Sequence, residues 1–405
     1  MTYGDIAQRR LAGIATCSEG GAGVTRLPFT EEHLRALTEI RGWMEAAGLQ
    51  VRLDAAGTLI GRLEGPPGSR TLLIGSHQDS VRSGGRYDGI MGIALGCLAL
   101  EKLRTEGAAA PCSVEVLAFA DEEGVRFPTA LLGPRALAGT MDLSVLDLAD
   151  GDGVTLRDAL AGFGCDPAGL VALRRERSDL LGYLEAHIEQ GPVLEGANAA
   201  LGVVTGICGI ERNTLRFTGE TGHAGTVPMA ARRDALVAAA RFVIAVSEEA
   251  GWTANIRATV GTLTISPNAV NAIPDITVLP LEVRSVDDRA RADFAARMRG
   301  LGEEIASAAG LSFEMTRTYV QDAVGCDADL SDRLAKAIAP VDRAPLRLPS
   351  GATHDASAMS DICPIAMLFV RCRAGLSHHP DEYASAADMG AAVDAIAAFL
   401  STLDG

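Results

Sequence analysis

The sequence predicts an α/β protein with a mostly parallel central sheet flanked by helices, into which a smaller α+β domain is inserted. Strand-like apolar runs alternate with helix-like runs in both flanks of the chain, as in layered α/β domains. The middle of the chain shows a different order of elements, which indicates a second core. A chain of 405 residues is long enough for two or three domains of about 150 residues each.

The two flanks supply the elements of the central sheet. The predicted strands lie at 71–77, 113–124, 181–190 and 365–372, and the predicted helices at 89–107 and 388–403. Because strands and helices alternate, we predict that residues 1–211 and 321–405 form one domain around a shared sheet.

The middle of the chain reads as strand, helix, strand, strand, helix and strand, beginning with the alternating segment at 212–225. This order is typical of the ferredoxin-like split β-α-β motif. We therefore predict an inserted domain at 212–320.

The composition argues against nucleic acid and membrane as partners. Lys and Arg number 36 against 52 Asp and Glu, so the net charge is −16, and only 4% of residues are aromatic. The sequence has no uninterrupted apolar run near the roughly 18 residues of a membrane span, and its first residues contain no apolar leader segment. The eight cysteines form no C-x-x-C pair, which favours a reduced chain. We expect a cytoplasmic protein.

Six of the seven histidines lie in short polar, Gly-rich segments, several of them directly after strand-like runs: His77, His187, His223, His354, His378 and His379. Site residues of α/β proteins are expected at the carboxyl ends of strands. The seventh, His33, lies in an amphipathic helix pattern.

The segment GSHQDSVRSGGRYDG contains the first candidate cluster. Asp79 could accept the second ring N–H of His77, which would fix the tautomer that a metal ligand needs. Asp88 follows within a glycine-rich loop that could fold back onto the strand end. A hydrogen-bonded surface pair is the alternative interpretation.

The segment FADEEG places Glu122 and Glu123 at the end of an apolar strand. Two adjacent carboxylates are costly there unless a cation or a shared proton compensates their charge. Neighbouring side chains diverge, so one could bind a metal while the other reaches a metal-bound water. A solvated acidic turn is the alternative interpretation.

Two further segments, HIEQGP and GLSHHP, add His187 and either His378 or His379. Together the segments supply three imidazoles and two carboxylates at predicted strand ends, a ligand set that suits Zn²⁺, Mn²⁺ or Co²⁺. A bridging carboxylate would hold two such ions about 3.5–4 Å apart, the spacing used to activate a hydrolytic water. The sequence contains no G-x-S-x-G, no G-x-x-x-x-G-K-[ST] and no G-x-G-x-x-G after a strand.

Eight motifs, in order along residues 75–383, resemble those of one enzyme group: GSHQDSV, GGRYDG, DEEGVRF, HIEQGP, GHAGTVPM, NAVNAIP, SGATHDA and GLSHHP. The group is the hydantoinase/carbamoylase branch of the dinuclear-zinc aminoacylase-like metallopeptidases. Its members include N-carbamoyl-L-amino acid hydrolases, β-ureidopropionases and allantoate amidohydrolases.

The resemblance implies two divalent metal ions per chain, with zinc as the first expectation and manganese or cobalt as alternatives. It assigns His77 and His187 to one metal, Glu123 and His378 to the other, and Asp88 as the bridge. The His at position 187, where related peptidases have an acidic residue, indicates the carbamoylase branch.

The same resemblance makes Glu122 the general base and Asp79 the partner of His77. It implies that His223 polarises the scissile carbonyl, that Gln190, Asn271 and Arg284 surround the substrate, and that His354 lies beside them. It also implies a homodimer formed through the inserted domain, which acts as a lid.

The implied reaction is hydrolysis of a linear C–N bond in an N-carbamoyl (ureido) L-amino acid, with Glu122 deprotonating a metal-bridging water. Allantoate amidohydrolase is the first alternative, followed by an aminoacylase or dipeptidase and by a catalytically silent binding protein.

Three departures from the usual motifs bear on the substrate. Thr353 replaces a glycine in SGATHDA, Glu282 replaces the aspartate of a D-x-R sequence that ends in Arg284, and Arg371 with Cys372 places an unusual charge in the segment before the last histidines.

Overall fold

The structure, a computed structural model, describes residues 1–341 and 344–403. Contacts between Cα atoms divide the chain into two compact units, Met1–Thr205 with Cys326–Gly405 and Gly206–Gly325. The boundaries expected from the sequence, 212 and 320, fall inside the first and last long strands of the second unit, Gly209–Thr218 and Ser312–Gln321.

The strands in the described residues are, in chain order, β1 Gln50–Leu53, β2 Leu59–Leu63, β3 Thr71–His77, β4 Ser113–Phe119, β5 Leu180–Ile188, β6 Leu201–Ile207, β7 Gly209–Thr218, β8 Arg257–Thr259, β9 Thr264–Ser266, β10 Ile276–Ser285, β11 Ser312–Gln321, β12 Val324–Gly325, β13 Leu346–Ser350 and β14 Ile365–Val370.

The α-helices in the same residues are α1 Tyr3–Ile14, α2 Glu31–Ala46, α3 Ile90–Thr105, α4 Leu132–Ala138, α5 Leu156–Gly162, α6 Val193–Gly196, α7 Ala235–Trp252, α8 Asp288–Ala309, α9 Ala328–Ile338, α10 Asp355–Met359 and α11 Ala386–Ser401. None of these helices is both long and apolar enough to cross a membrane.

The first unit contains the predicted central sheet, in the order β1-β2-β4-β3-β5-β14-β6, with β13 also paired to β6. The four central strands β4, β3, β5 and β14 are parallel, and the outer pairings β1–β2, β2–β4 and β14–β6 are antiparallel. Every residue of β3, β4 and β14 is buried, as expected of parallel strands covered on both faces. Residues of α1, α2, α3, α9 and α11 form the main apolar core with these strands.

The second unit confirms the predicted split β-α-β order. Its antiparallel sheet runs β11-β7-β10-β8, with β9 also paired to β10, and α7 and α8 pack on it. Along β10, buried and partly buried residues alternate strictly, so one face of the sheet is buried under the two helices. Phe217, Phe242 and Phe294 lie in this second core.

Because the four central strands of the first unit are parallel, their carboxyl ends meet at one edge of the sheet. The strands end there at His77, Phe119, Ile188 and Val370. This edge carries the candidate site.

Candidate metal centre

The predicted metal ligands of the first unit converge at the carboxyl edge of its sheet. His77 ends β3, His187 lies near the end of β5, Glu123 follows β4 and His378 follows β14. Asp88 comes from the loop that leads into α3. The structure therefore brings together the five side chains that the motifs named.

Asp88 lies at the centre of this group, and its two carboxylate oxygens face different partners. Oδ1 is 3.0 Å from His187 Nε2 and 3.6 Å from His77 Nε2, whereas Oδ2 is 3.3 Å from His378 Nε2. Glu123 Oε1 lies 3.7 Å from the same nitrogen of His378. This is the arrangement expected of a carboxylate that bridges two metal ions.

Hydrogen bonds orient both buried histidines with Nε2 toward Asp88. His187 Nδ1–H donates to the carbonyl of Ile188 at 2.9 Å, and His77 Nδ1–H donates to the carbonyl of Asp79 at 3.1 Å. With the proton on Nδ1, each ring presents the lone pair of Nε2. This is the tautomer that a metal ligand binding through Nε2 requires.

Asp79 binds His77 through its backbone carbonyl and not, as expected from the sequence, through its carboxylate. Its carboxylate oxygen is 3.8 Å from His77 Nδ1, and the backbone carbonyl accepts the hydrogen bond instead. The carboxylate accepts the backbone N–H groups of Glu122 and Glu123, each at 3.2 Å. Asp79 thus ties the end of β3 to the turn after β4, a pairing across neighbouring strands that sequence spacing does not reveal.

The loop conformations around the site depend on special backbone positions. Gly89 has φ +66°, and a Cβ there would lie 2.4 to 2.5 Å from ring atoms of His77. Asp121 and His378 adopt φ +57° and +55°, in the left-handed region that non-glycine residues rarely occupy. Such strained positions occur at functional sites, where the surrounding structure holds them in place.

Burial and mutual interactions shift the ionisation of the carboxylates strongly. Although burial opposes it, His187, His378 and His77 hold the pKa of Asp88 well below its usual range. Burial raises the pKa of Glu122 well above its usual range and that of Glu123 to about 7, and the nearby His77 only partly offsets this. Glu122 and Glu123 therefore lie where negative charge is costly.

A divalent cation supplies the positive charge that such a cluster lacks. His77, Glu122 and Glu123 offer ligand atoms within 4.8 Å of one another, and two further groups contain Asp88: one with His77 and His187, the other with Glu123 and His378. Nitrogen and oxygen donors of these types suit Zn²⁺, Mn²⁺ or Co²⁺. The donor set therefore fits two divalent ions.

Gln190 and His354, both predicted to contact substrate, lie beside this group. Gln190 Nε2 donates to Asp88 Oδ2 at 2.9 Å, and the residue has φ +56°. His354 is buried just before α10, with its ring centroid 4.5 Å from that of His187 and its Nε2 2.7 Å from Ser350 Oγ. Burial lowers the pKa of His354 well below its usual range, so the ring is neutral.

The sequence interpretation missed Glu185, a buried carboxylate behind His187. It accepts hydrogen bonds from Ser76 Oγ at 3.0 Å and from the backbone N–H of Ala356 at 2.9 Å. The sequence signal for Glu185 was an acidic residue inside the apolar strand LGYLEAHI. Because Glu185 lies two positions before His187, the two side chains point to the same face of the strand. Ser377 and Glu382, near His378, were missed as well.

Within the second unit, His223 and Asn271 lie close together, and both are exposed. His223 forms an isolated β-bridge with Ala272, and Ala224 N–H donates to the carbonyl of Asn271 at 2.9 Å. Both lie beyond the end of the β7–β10 ladder that is formed by Thr218 and Ile276: His223 follows β7, and Asn271 precedes β10.

Arg284 lies at the opposite end of that ladder, where it faces Ile210. Its Nε donates to Glu282 Oε1 at 2.7 Å, while Arg212 Nε donates to the other oxygen of Glu282 at 2.7 Å. The second unit therefore brings His223 and Asn271 together but does not bring Arg284 to them.

Arg371, the unusual charge before the last histidines, is bound in an ion pair. Its Nη2 and Nε lie 2.8 and 3.0 Å from the two carboxylate oxygens of Asp388, and Nη1 donates to Asn198 at 3.2 Å. Asp388, in the first turn of α11, therefore neutralises the positive charge of Arg371.

Comparisons with known proteins show which family the chain is similar to. The model of the peptidase family M20/M25/M40 matches residues 73–402. The chain is 37% identical over 390 residues to an N-carbamoyl-L-amino acid amidohydrolase of Geobacillus stearothermophilus, covering 96% of this chain and 95% of that protein. It is 37% identical over 435 residues to an allantoate deiminase of Arabidopsis thaliana, covering 98% and 82% respectively.

A solved structure shows the same similarity in three dimensions. The crystal structure of an amidase of the hydantoinase/carbamoylase family from Burkholderia multivorans has a TM-score of 0.91 and 31% identity. The match covers 99% of this chain and 98% of that chain.

Proposed function

The chain belongs to the peptidase M20/M25/M40 family, and within that family we propose that its substrate is an N-carbamoyl (ureido) L-amino acid. It is a metal-dependent amidohydrolase that acts on linear C–N bonds other than peptide bonds. The observation that carries the metal-dependent chemistry is the position of Asp88, with one oxygen toward His77 and His187 and the other toward His378. The proposed substrate is supported by the 37% identity to an N-carbamoyl-L-amino acid amidohydrolase.

In the proposed site, His77 and His187 would hold one metal ion, Glu123 and His378 would hold the other, and Asp88 would be shared between them. Zinc is the first choice for the ions, with manganese or cobalt as alternatives. When bound, the ions supply Lewis acidity that polarises a carbonyl group and makes water acidic.

Glu122 is the proposed general base. It is buried, and burial raises its pKa above the usual range, the direction that strengthens a carboxylate as a proton acceptor. Glu122 accepts a proton from the attacking water and then delivers it to the nitrogen that leaves. The carbamate released from the ureido group breaks down to ammonia and carbon dioxide.

Gln190 is proposed to bind the ureido group. Its amide nitrogen is committed to Asp88 and Ser377, whereas its buried amide oxygen has no hydrogen-bond partner among the described residues. That oxygen can accept an N–H of the substrate. His354, next to His187, is proposed to lie against the same group.

His223, Asn271 and Arg284 are proposed as the substrate residues of the second unit: His223 stabilises the developing oxyanion and Arg284 binds the carboxylate. The eight residue-to-residue steps along β10 from Ile276 to Arg284 extend about 26 Å at roughly 3.3 Å per residue. A ureido amino acid is far shorter than this distance. His223 and Arg284 of one copy therefore cannot both contact the same substrate molecule.

We therefore propose a homodimer in which one copy supplies Arg284 and the other supplies His223 and Asn271. Exposed apolar side chains on α7, among them Ile244 and Trp252, offer a surface for this pairing. A mass measurement by light scattering tests the proposal, because a fully active monomer would contradict it.

Allantoate is the second candidate substrate, since an allantoate deiminase is as similar to this chain as the carbamoyl amino acid hydrolase. The deciding experiment measures ammonia release from N-carbamoyl L-amino acids, allantoate and ureidoglycolate, with added Zn²⁺, Mn²⁺ or Co²⁺. Glu122→Gln serves as the inactive control. A higher kcat/KM for allantoate would favour the second candidate, and no turnover of any ureido acid would contradict both.

The assignment of Arg284 has its own test. Arg284→Ala is expected to lower kcat/KM by roughly 10–150-fold, the equivalent of a hydrogen bond to a charged group worth about 1.5–3 kcal/mol. A substrate with an amidated carboxylate should be hardly affected. Arg212→Ala is the matched control, because it removes the other partner of Glu282. Equal losses of kcat/KM for the substrate with a free carboxylate and for the amidated substrate would mean that Arg284 acts only through Glu282.

The location of the protein follows as a further proposal. All eight cysteines are free, which is consistent with a reducing compartment such as the cytoplasm.

A further inference from the structure

We propose that Glu382 is a positioning residue of the metal centre, which holds Asp88 in its bridging orientation. This inference rests on the metal centre of the proposed function. Glu382 follows the ligand His378 by four residues, in the segment HHPDEY, and only 3% of its surface is exposed.

The carboxylate of Glu382 binds the backbone of Asp88. Its Oε1 accepts the N–H of Tyr87 at 2.8 Å and the N–H of Asp88 at 3.0 Å. These two bonds fix the peptide planes on the N-terminal side of Asp88, and so restrict the direction in which its side chain leaves the loop.

A second connection runs through Ser377 to the Asp88 side chain. Ser377 Oγ lies 2.7 Å from Asp88 Oδ2 and 3.2 Å from Glu382 Oε2, and it accepts a hydrogen bond from Gln190 at 3.1 Å. The single hydroxyl proton serves one carboxylate at a time. Glu382 therefore keeps Ser377 within reach of the oxygen that faces His378.

The loop that carries Asp88 is shaped around this carboxylate. A Cβ at Gly85 would lie 2.1 Å from Cδ and Oε1 of Glu382, so only glycine leaves room for the group. No ion pair with a Lys or Arg is found for Glu382 among residues 1–341 and 344–403. A buried carboxylate without a cationic partner is costly, so its placement against two backbone N–H groups and the shared hydroxyl of Ser377 indicates a role beyond loop stability.

These contacts join two ligand loops that are far apart in sequence. The same side chain belongs to the loop of His378 and holds the loop of Asp88. Loss of the carboxylate would free Asp88 to rotate, and one of its oxygens would then no longer face its metal. Loss of a group that orients a ligand typically weakens metal binding by about 10–100-fold.

The experiment compares Glu382→Ala with Asp54→Ala as a matched control. Asp54 is also a buried carboxylate of the first unit, and its Oδ1 accepts two backbone N–H groups, from Ala56 and Thr58, each at 2.9 Å. Zn²⁺ and Co²⁺ affinities are measured by competition with a chelator, and the thermal unfolding of the chelator-treated proteins is recorded in parallel.

We expect Glu382→Ala to weaken binding of at least one metal by about 10–100-fold, and Asp54→Ala to lower the unfolding temperature without this loss. Glu382→Gln, which keeps an oxygen for the two N–H groups, should restore the affinity to within about threefold of the wild type. Equal metal affinities of Glu382→Ala and Asp54→Ala would overturn the proposal.

If Glu382→Ala does not fold, Glu382→Asp takes its place. It keeps the charge but shortens the side chain by one methylene, so it should also lose metal affinity, and wild-type affinity in that variant would overturn the proposal. Metal binding is measured without substrate. A wild type that binds two metals but hydrolyses no ureido acid would refute the proposed substrate and leave this inference intact.

Discussion

At the scale of single residues, Glu122 and Glu123 are adjacent but have different proposed roles. Their backbone N–H groups donate to the two oxygens of the same carboxylate, that of Asp79, so the turn that carries them is held at both peptide groups. Both side chains offer ligand atoms within 4.8 Å of a ring nitrogen of His77, and Glu123 Oε1 additionally lies 3.7 Å from His378 Nε2.

This difference predicts different consequences for the two amide variants. Glu122→Gln should retain both metals and lower kcat by roughly 10²–10⁴, the usual contribution of general acid–base catalysis. Glu123→Gln should release or weaken one metal. Metal content and single-substrate kinetics of the two variants provide the check. Equal metal loss in both would mean that the two carboxylates act jointly as ligands.

His33 has a structural role that its amphipathic context does not reveal. It is fully buried in α2, its Nδ1 accepts the N–H of Phe29 at 2.9 Å, and its ring centroid lies 4.5 Å from that of Phe163. Burial lowers the pKa of His33 to about 3. In the unfolded chain the same group is protonated below about pH 6.5.

This shift predicts acid sensitivity with a definite sign. Between pH 6.5 and 3 the unfolded chain binds a proton that folded His33 does not, so the free energy of unfolding falls as the pH falls, by about 5 kcal/mol in total. His33→Asn keeps an acceptor for Phe29 and does not titrate. Urea unfolding at several pH values should show a shallower slope in the variant, and an unchanged slope would assign the acid sensitivity to other groups.

At the scale of elements, the loop between β3 and α3 must fold tightly because both of its ends carry ligands. Gly89 ends the loop with φ +66°, and its N–H lies 3.3 Å from His187 Nε2. A side chain at this position would collide with the ring of His77. The loop therefore depends on glycine for conformation and for space.

Gly89→Ala should consequently damage the metal centre more than the fold. We expect metal affinity to fall at least about tenfold, and the free energy of unfolding to fall by about 1–3 kcal/mol through backbone strain. Gly13→Ala is the matched control, since Gly13 lies inside α1 with open space around its Cα. That variant should gain about 0.5–1 kcal/mol and keep its metals. Unchanged metal affinity in Gly89→Ala would show that the His77 ring can move aside.

At the scale of the whole molecule, the metal ligands join distant parts of the first unit, from His77 to His378. Ions that bind only this folded arrangement stabilise it by mass action, by about 2.7 kcal/mol at a free concentration one hundred times Kd. The net charge of the chain, −16, also favours stabilisation by bound metal, because the ions neutralise part of a clustered negative charge.

Removal of metal should therefore lower both activity and the unfolding temperature. A chelator is expected to abolish ureido-acid hydrolysis and shift thermal unfolding downward, and two equivalents of a divalent ion per chain should reverse both effects. Asp88→Asn, which weakens the bridge, should respond much less to the chelator. A fully active protein that contains less than one metal per chain would exclude the dinuclear centre.

Much of the fold could be predicted from local patterns. The continuous apolar runs that end at His77, Phe119 and Val370 became the buried parallel strands, because a strand covered on both faces needs apolar residues throughout. The order of strands and helices in the middle segment was sufficient to predict the split β-α-β unit. Strand ends were less predictable, because a polar residue such as Asp121 can continue an extended run or start a turn.

The sequence by itself determined the types of ligand and their order, since imidazoles and carboxylates after apolar strands can be recognised one segment at a time. Only the tertiary structure decided which groups meet. It assigned the carbonyl of Asp79 to His77, paired Arg371 with Asp388, placed Glu382 under Asp88 and separated Arg284 from His223 along one strand. The physical reason is that these relations depend on strand register, loop conformation and the burial of side chains, which join residues far apart in the chain and leave no periodic signal in it.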